Sequence, residues 1–584
     1  MKAITVTVHG QEPVMVSSGT LLCDVLPSVN RDGVPILGAI VNNMVQSLCI
    51  PLLADVTVRP LTAMDEHGWN IYRASLCFLM AKAAHEIFPS LECRTRNSVG
   101  SGLYCTVAWP DLSENALAEN VARLKAAIQE MVRQDLPITY EIATYEAAFS
   151  RFRDAQQTDK LNLLAHRNPP AISLTCCGDY RDISQTVLVP RTGLLKCFDL
   201  VPRAGGFVLN VPSSANPDVL PPLPPGEHLF EVYREHIEWG RIVGVTTAGQ
   251  LNQSILEKRA ADFVQTIEAL HSKKLASIAD RITRGNSSVR AFEHSNVSAE
   301  EQPDNFRTLE FQNVSTPGIR LVLIAGPSSA GKTTTAKRLI THLRVNGCRP
   351  LLISTDNYFV GDELNPRDKD GNLDYEHIEA MDLPRLNSDL LRLMNGEAVR
   401  MRSFSFKTKQ GFDEPDETRL PPDGIIVMEG IHCLNPQMSA DVPKELKFFI
   451  YVNTLTQLGI DSSNRISTAD TRIIRRMVRD HQFRNRSAVD TLRLWKFVIR
   501  GERRWIYPFQ HLADAVFNSA LDYELAVLKP LATLLLNQIK PWHEEYIEAR
   551  RLSGILHNFS ALSADVVPGD SILRESIGNS QLEY

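Results

Sequence analysis

Ile319-Arg-Leu-Val-Leu-Ile-Ala325-Gly326-Pro327-Ser328-Ser329-Ala330-Gly331-Lys332-Thr333-Thr334 is the stretch on which the reading of this chain turns. Its first seven residues make a short apolar run, the composition of a parallel strand buried on both faces. Gly326 to Thr333 then fills every fixed position of G-x-x-x-x-G-K-[ST]. Thr334 to Asn346 carries good helix formers, with Ala336, Leu339, Ile340 and Leu343 at helical spacing and Gly347 as a stop. Strand, loop and helix stand in the order a phosphate-binding loop requires. Glycines let backbone N–H groups converge on phosphate oxygens, and the helix N-terminus adds partial positive charge. Residues Gly326 to Thr334 are therefore the expected nucleotide-binding set. Lys332 would reach the β- and γ-phosphates, and the Thr333 hydroxyl would hold Mg²⁺.

Working outward, 584 residues exceed one ordinary core, and roughly three or four domains are expected. A hydrophobic content of 43% with 22% charged residues is that of a soluble globular protein. The formal net charge of −6 gives no global basic field, so no nucleic-acid partner is expected from charge. Ten cysteines show no C-x-x-C pair and no zinc-like spacing, and most fall in apolar runs, as buried thiols of a reducing compartment do. Met1 to Val8 alternates like a strand and lacks a signal-peptide core, and no apolar run is long enough to span a membrane. A cytoplasmic protein with no membrane partner is expected.

Residues 1–63 read as a β-rich unit. Ile4, Val6 and Val8 alternate, Gly10 turns, and Val14-Met-Val16 can return as a hairpin. Thr20 to Leu26 is a short helical patch, and Ala39-Ile-Val and Asp55-Val-Thr-Val-Arg-Pro60 are further strands. This order resembles the TGS domain, a ubiquitin-like β-grasp module at the front of threonyl-tRNA synthetases. In residues 64–240, Asn70 to Phe88 is predicted as a helix with Leu76, Leu79, Met80 and Ala83 on one face. Ser113 precedes a second helix with Leu117, Val121, Leu124, Ile128 and Met131 stepping by four and three. With Val189-Pro-Arg-Thr-Gly-Leu-Leu-Lys-Cys-Phe198 and Ala204-Gly-Gly-Phe207, this segment resembles the second additional domain of those synthetases. The family's two helical editing histidines would fall on Ala74 and Phe78, which neither bind a metal nor move a proton. No histidine follows Cys176 or Cys177 at the fourth position, and His85 reads as structural. The resemblance therefore implies the fold without the editing chemistry. Residues 241–303 are expected as a helical connector and linker, 304–540 as the phosphate-loop domain, and 541–584 as a tail packing on it.

Within 304–540, Pro350-Leu-Leu-Ile-Ser354 is a second buried strand ending at Asp356, and Gly424-Ile-Ile-Val-Met428 a third ending at Glu429. Carboxylates at the ends of such strands sit where open α/β sheets bind ligands. Asp356 could accept a proton from an acceptor hydroxyl, and Glu429 could face Mg²⁺. The helix predicted from Ala469 to Asp480 sets Arg472, Arg475, Arg476 and Arg479 on one face, with Arg484 and Arg486 following. Between Arg465 and Arg504 stand eleven arginines and one lysine against four acidic residues, a local surplus suited to an anion. The set reads as phosphoryl transfer to a hydroxyl.

These residues resemble the uridine kinases of the uridine kinase/phosphoribulokinase group, over about residues 318 to 530. The resemblance lies in the phosphate loop, Asp356-Asn-Tyr-Phe359, Glu429-Gly430-Ile431 and the arginine lid Arg475 to Asp480 with Arg484 and Arg486. It implies Asp356 as base, Lys332, Arg479 and Arg484 in catalysis, and Thr333 and Glu429 on the metal. Acceptor-binding positions carried over are Glu376, Phe404, Lys409, Arg476, Arg479 and Arg486. Glu376 stands where the group has a sugar-binding aspartate, and Phe404 and Lys409 where it has a tyrosine and a histidine, which leaves the base open. A subgroup similar to the whole chain joins such a kinase to synthetase-like domains and carries a segment like Val567-Pro-Gly-Asp-Ser-Ile-Leu-Arg-Glu575. The expected architecture is α/β: a P-loop kinase domain with a parallel sheet, preceded by a β-grasp domain and an α+β synthetase-like domain. The expected activity is ATP- and Mg²⁺-dependent phosphorylation of the 5′-hydroxyl of uridine or cytidine. Another small-molecule kinase of the group, or an RNA-associated NTP-dependent switch, are the alternatives; a homo-oligomer is left open.

Overall fold

The alternation at the N-terminus is realised as a strand with one buried face. In the computed structural model, which describes residues 2–89, 91–223, 227–284, 318–405 and 408–583, Ile4, Val6 and Val8 are all buried. They lie on β1 (Ala3–Val8), which pairs antiparallel with β2 (Val14–Ser17) and parallel with β5 (Val56–Thr62). With β3 (Ile36–Val41) and β4 (Met44–Gln46) the sheet order is β2-β1-β5-β3-β4, a β-grasp arrangement closed by Leu22 and Leu52.

An α+β module follows. Two antiparallel sheets are built from β6 (Cys93–Val99), β7 (Gly102–Val107), β8 (Thr139–Thr144), β9 (Ala171–Cys177), β10 (Tyr180–Asp182), β11 (Asp199–Arg203) and β12 (Gly206–Asn210). Their orders are β11-β12-β7-β6 and β10-β9-β8. The helices Glu66–Ile87 and Glu114–Gln134 bury the apolar stripes seen in the sequence, Leu76, Leu79, Met80 and Ala83 on one, Leu117, Val121, Leu124, Ile128 and Met131 on the other. A fully buried side chain of this size contributes about 1.5–3 kcal/mol, which fixes both helices in one core.

The phosphate-loop region carries a five-stranded parallel sheet. Its strands are β13 (Leu321–Ala325), β14 (Arg349–Ser354), β17 (Gly424–Glu429), β18 (Lys447–Asn453) and β19 (Ala515–Asn518) in the order β14-β17-β13-β18-β19. A hairpin, β15 (Val399–Ser405) with β16 (Gln410–Thr418), stands apart from it. The continuous apolar run of β13 is explained by burial on both faces. Val322 and Ile324 join Ala336, Leu339 and Leu343 of the helix Lys332–Val345, while Leu321, Leu323 and Ala325 join Leu386, Leu390 and Leu393 of the helix Leu383–Met394.

The chain divides into two compact units along lines that sequence composition does not mark. One comprises Met1–Phe263, Leu455–Arg493 and Asp522–Ala564; the other comprises Val264–Thr454, Leu494–Leu521 and Asp565–Tyr584. The expected boundaries at 63, 240, 303 and 540 do not coincide with the edges of these units. Leu275, Ile278, Ala279 and Ile282, in the stretch expected as a helical connector, pack in one buried cluster with Ala336 and Leu343. The helix Thr468–Arg484 lies in the first unit, and the tail expected from 541 is divided between both. The linker expected up to residue 303 lies, from residue 285 on, outside the described residues, as do residues 224–226 of the proline-rich loop. No described helix is long and apolar enough to cross a membrane.

Candidate active site

The phosphate loop is shaped by close packing at its two glycines. A Cβ at Gly326 would lie 2.0 Å from the Val452 carbonyl oxygen, so only glycine lets β13 turn there. Gly331 caps the helix Lys332–Val345 with φ +83°, and Ser329 also takes a positive φ of 58°. The Ser329 hydroxyl is buried without a hydrogen-bond partner among the described residues, an orphaned polar atom in the glycine-rich loop. Lys332 Nζ donates to the Pro327 carbonyl at 3.3 Å. Glu502, fully buried on the helix Ala488–Trp505, accepts the Ser328 N–H at 3.1 Å and the Tyr507 hydroxyl at 3.0 Å. Sequence reasoning missed Glu502, which stands 174 residues away from the loop it holds.

The strand-end carboxylates sit beside this loop. Glu429 Oε1 accepts from the Thr333 hydroxyl at 3.2 Å and from the Ser354 hydroxyl at 2.8 Å. Burial first, and the nearby Asp356 second, push the Glu429 carboxyl up to about 7, against the pull of Lys332. Asp356 itself is exposed, in the 3₁₀ turn Thr355–Tyr358 directly after β14. The structure thus brings Lys332, Thr333, Asp356 and Glu429 together. Thr333 and Glu429 offer hard oxygen donors of the kind Mg²⁺ takes, and Mg²⁺ in such sites uses only one or two protein groups beside phosphate oxygens and water. With the orphaned Ser329 hydroxyl, the residues present fit a Mg²⁺-bound triphosphate.

The C-terminal segment reaches the same loop. Ile572 is a core residue of this unit and would meet a Cβ at Gly331 at 2.5 Å, and the Thr334 hydroxyl donates to Glu575 at 3.2 Å. Asp570 lies 3.9 Å from Arg338. Residues 570–575 therefore pack beside the helix Lys332–Val345.

Of the expected acceptor positions, Phe404 and Lys409 come together around one aromatic cluster. Phe404 stacks at a tilt 5.8 Å from Phe359, Phe359 meets Tyr375 at 6.2 Å, and Lys409 Nζ lies 4.9 Å over the Tyr375 ring. Residues 406 and 407 of the same hairpin lie outside the described residues. Glu376 is half-buried, its side chain against Gly501 of the helix Ala488–Trp505. His377 meets Trp505 edge-on at 4.5 Å.

The arginines expected to share one face of a helix differ in their surroundings on the helix Thr468–Arg484. Arg472 and Arg475 are buried, and Arg475 pairs with buried Glu524 in the first unit. Charge counting along one helix could not foresee a partner 49 residues on. Arg476, Arg479, Arg484 and Arg486 instead converge on Asp480, at 3.3, 3.2, 3.6 and 3.5 Å. Also in the first unit, Phe78, at a position where the synthetase resemblance has a histidine, packs edge-on to Tyr180 at 5.4 Å. Ala74 packs against the same core.

The comparisons follow the two halves. The chain is 28% identical over 167 residues to a threonine–tRNA ligase from Desulfosudis oleivorans, across 29% of this chain and 25% of that protein. It thus spans about a quarter of the length of that ligase, and the likeness falls in its N-terminal region. It is 24% identical over 208 residues to a uridine kinase from Lactobacillus helveticus, across 35% of this chain and 90% of that protein. A uridine kinase from Brevibacillus brevis is 27% identical over 219 residues, across 37% of this chain and 92% of that protein. Residues 321–526, which hold the loop, both strand-end carboxylates and the arginine cluster, match the Phosphoribulokinase / Uridine kinase family.

Proposed function

We propose that this protein is an ATP- and Mg²⁺-dependent nucleoside kinase acting on the 5′-hydroxyl of uridine or cytidine. The observation that carries the reading is the convergence on Glu429: Thr333 at 3.2 Å, with Asp356 and Lys332 close enough to shift its titration. Bound Mg²⁺·ATP would supply the transferable γ-phosphoryl group. Lys332 and the loop N–H groups would hold its phosphates, and Thr333 and Glu429 would orient the metal. Asp356, exposed at the strand end, would take the proton of the acceptor hydroxyl as that oxygen bonds to the γ-phosphorus and the bond from that phosphorus to ADP breaks. Glu376, Phe404 and Lys409 would face the acceptor; the resemblance, not a contact, gives Arg476, Arg479, Arg484 and Arg486 the role of stabilising the transferring charge.

The test is an acceptor screen with labelled ATP against nucleosides and sugar phosphates. Transfer to uridine or cytidine supports the reading. Transfer only to a sugar phosphate or another nucleoside moves it to a different kinase of the group. Transfer to none, with nucleotide binding intact, favours an RNA-associated switch, for which the likeness to threonine–tRNA ligases is the supporting observation. The arginine cluster gives a second check. The Arg484 side chain is 53% exposed, so Arg484→Ala should leave the melting temperature within about 1–2 °C, as surface changes do. As one of four arginines its loss should still lower kcat about 10–100-fold, somewhat less than a sole transition-state donor. Equal losses of stability and rate would mark it as structural.

A further inference from the structure

His432 follows β17 by three residues and is 1% exposed, yet neither of its ring nitrogens has a hydrogen-bond partner among the described residues. Such double orphans are uncommon, because a buried imidazole loses its water on both sides. The position of this one is informative. Its ring lies 6.5 Å from Trp505 at 89°, and Trp505 in turn meets His377 edge-on, next to the expected acceptor position Glu376. Burial, with His377 and Lys332 nearby, pushes its pKa down to about 3, so the ring is neutral. The imidazole thus shares the Trp505 ring with His377, the neighbour of the expected acceptor position Glu376, three residues after the strand-end carboxylate Glu429.

A neutral imidazole offers one N–H donor and one bare nitrogen acceptor. An N–H···π contact to Trp505 could use the donor side only. The complement of both sides is a hydroxyl-bearing ligand, since each hydroxyl can donate and accept. Resting on the kinase reading above, we propose that His432 is an acceptor-recognition residue that hydrogen-bonds sugar hydroxyls, and that the acceptor is a polyhydroxylated molecule such as a ribonucleoside. The nucleotide's phosphates are assigned to other groups, so the site discriminates acceptors without setting affinity for ATP.

Full-length wild type, His432→Phe and His432→Gln test this with uridine, cytidine, 2′-deoxyuridine, 3′-deoxyuridine and ribose as probes. Binding is read by calorimetry with a non-hydrolysable ATP analogue and Mg²⁺ present, and turnover by a coupled assay. Phenylalanine keeps the ring and removes both polar atoms. Losing two neutral hydrogen bonds should weaken uridine binding and kcat/KM about 10–100-fold. The melting temperature should hold or rise, because no unpaired nitrogen remains buried, and affinity for the ATP analogue should stay within about twofold. Glutamine should recover part of the loss, and the phenylalanine variant should no longer distinguish uridine from the deoxyuridine that wild type binds less well. If wild type phosphorylates uridine and His432→Phe leaves its binding and KM within twofold, the inference is overturned and the kinase reading stands. His432-dependent binding of uridine without transfer would keep the inference and remove the kinase reading. If wild type binds none of the probes, the polyol assignment falls. Should His432→Phe fail to fold, full activity of the glutamine variant with equal affinity of wild type for both deoxyuridines would overturn it.

Discussion

Asp356→Asn is expected to bind Mg²⁺·ATP with near wild-type affinity while transferring phosphate to its acceptor about 10²–10⁴-fold more slowly. The substitution keeps the shape of an exposed residue at the end of β14 but removes the carboxylate proposed to take the acceptor's proton. Nucleotide contacts, proposed for Gly326–Thr334, should survive. Lys332→Ala should behave otherwise and weaken both nucleotide binding and turnover, because its charge serves bound and transferring phosphate alike. Nucleotide titration and a coupled assay on the two variants give opposite patterns if Asp356 is the base. An Asp356→Asn enzyme at wild-type rate would remove that assignment. Loss of nucleotide affinity in the same variant would instead place Asp356 with the metal, beside Glu429.

The second large effect is on stability, in the first unit. Lys160 is 1% exposed and pairs with Asp182 at 2.5 Å and Asp461 at 2.9 Å, both carboxylates themselves buried. Burial alone would lower the lysine's pKa, but the two aspartates hold it above its ordinary value. Burial pushes Asp461 up to about 6 despite the lysine. Asp461 also accepts the N–H groups of Ser463 and Asn464, so the loop after Leu455 is folded around this carboxylate. Lys160→Met leaves two buried acids with no counter-ion, and breaking a buried pair in this way costs about 3–5 kcal/mol. A denaturant titration followed by a probe in the first unit should show a midpoint lowered accordingly. A loss under about 1 kcal/mol, the size of an exposed salt bridge, would mean that water reaches the triad.

Lys160 and Asp461 also mark where sequence reading stopped. The alternation of Ile4, Val6 and Val8, the stripes Leu76 to Ala83 and Leu117 to Met131, and the run Leu321 to Thr333 each encode an element through periods of two to four residues. Those periods are set by backbone geometry within one strand or helix. They were enough for the β-grasp sheet, the α+β module, the parallel sheet and the phosphate loop, and strand-end placement alone singled out Asp356 and Glu429.

Partner choice has no such period, because it depends on which residues the fold brings together from far along the chain. The arginines looked like one open face until Asp480 and Glu524 were seen beside them. Nothing near Glu502 announces that it holds Ser328, and nothing near Lys160 announces Asp461. His432 sits in a run of ordinary composition, Gly430-Ile-His-Cys-Leu434, and only burial leaves its two nitrogens without water. Sequence by itself determined the elements and the phosphate loop. Tertiary structure decided which charges are neutralised and which buried polar atoms are left unpaired, since desolvation and pairing are properties of the folded interior.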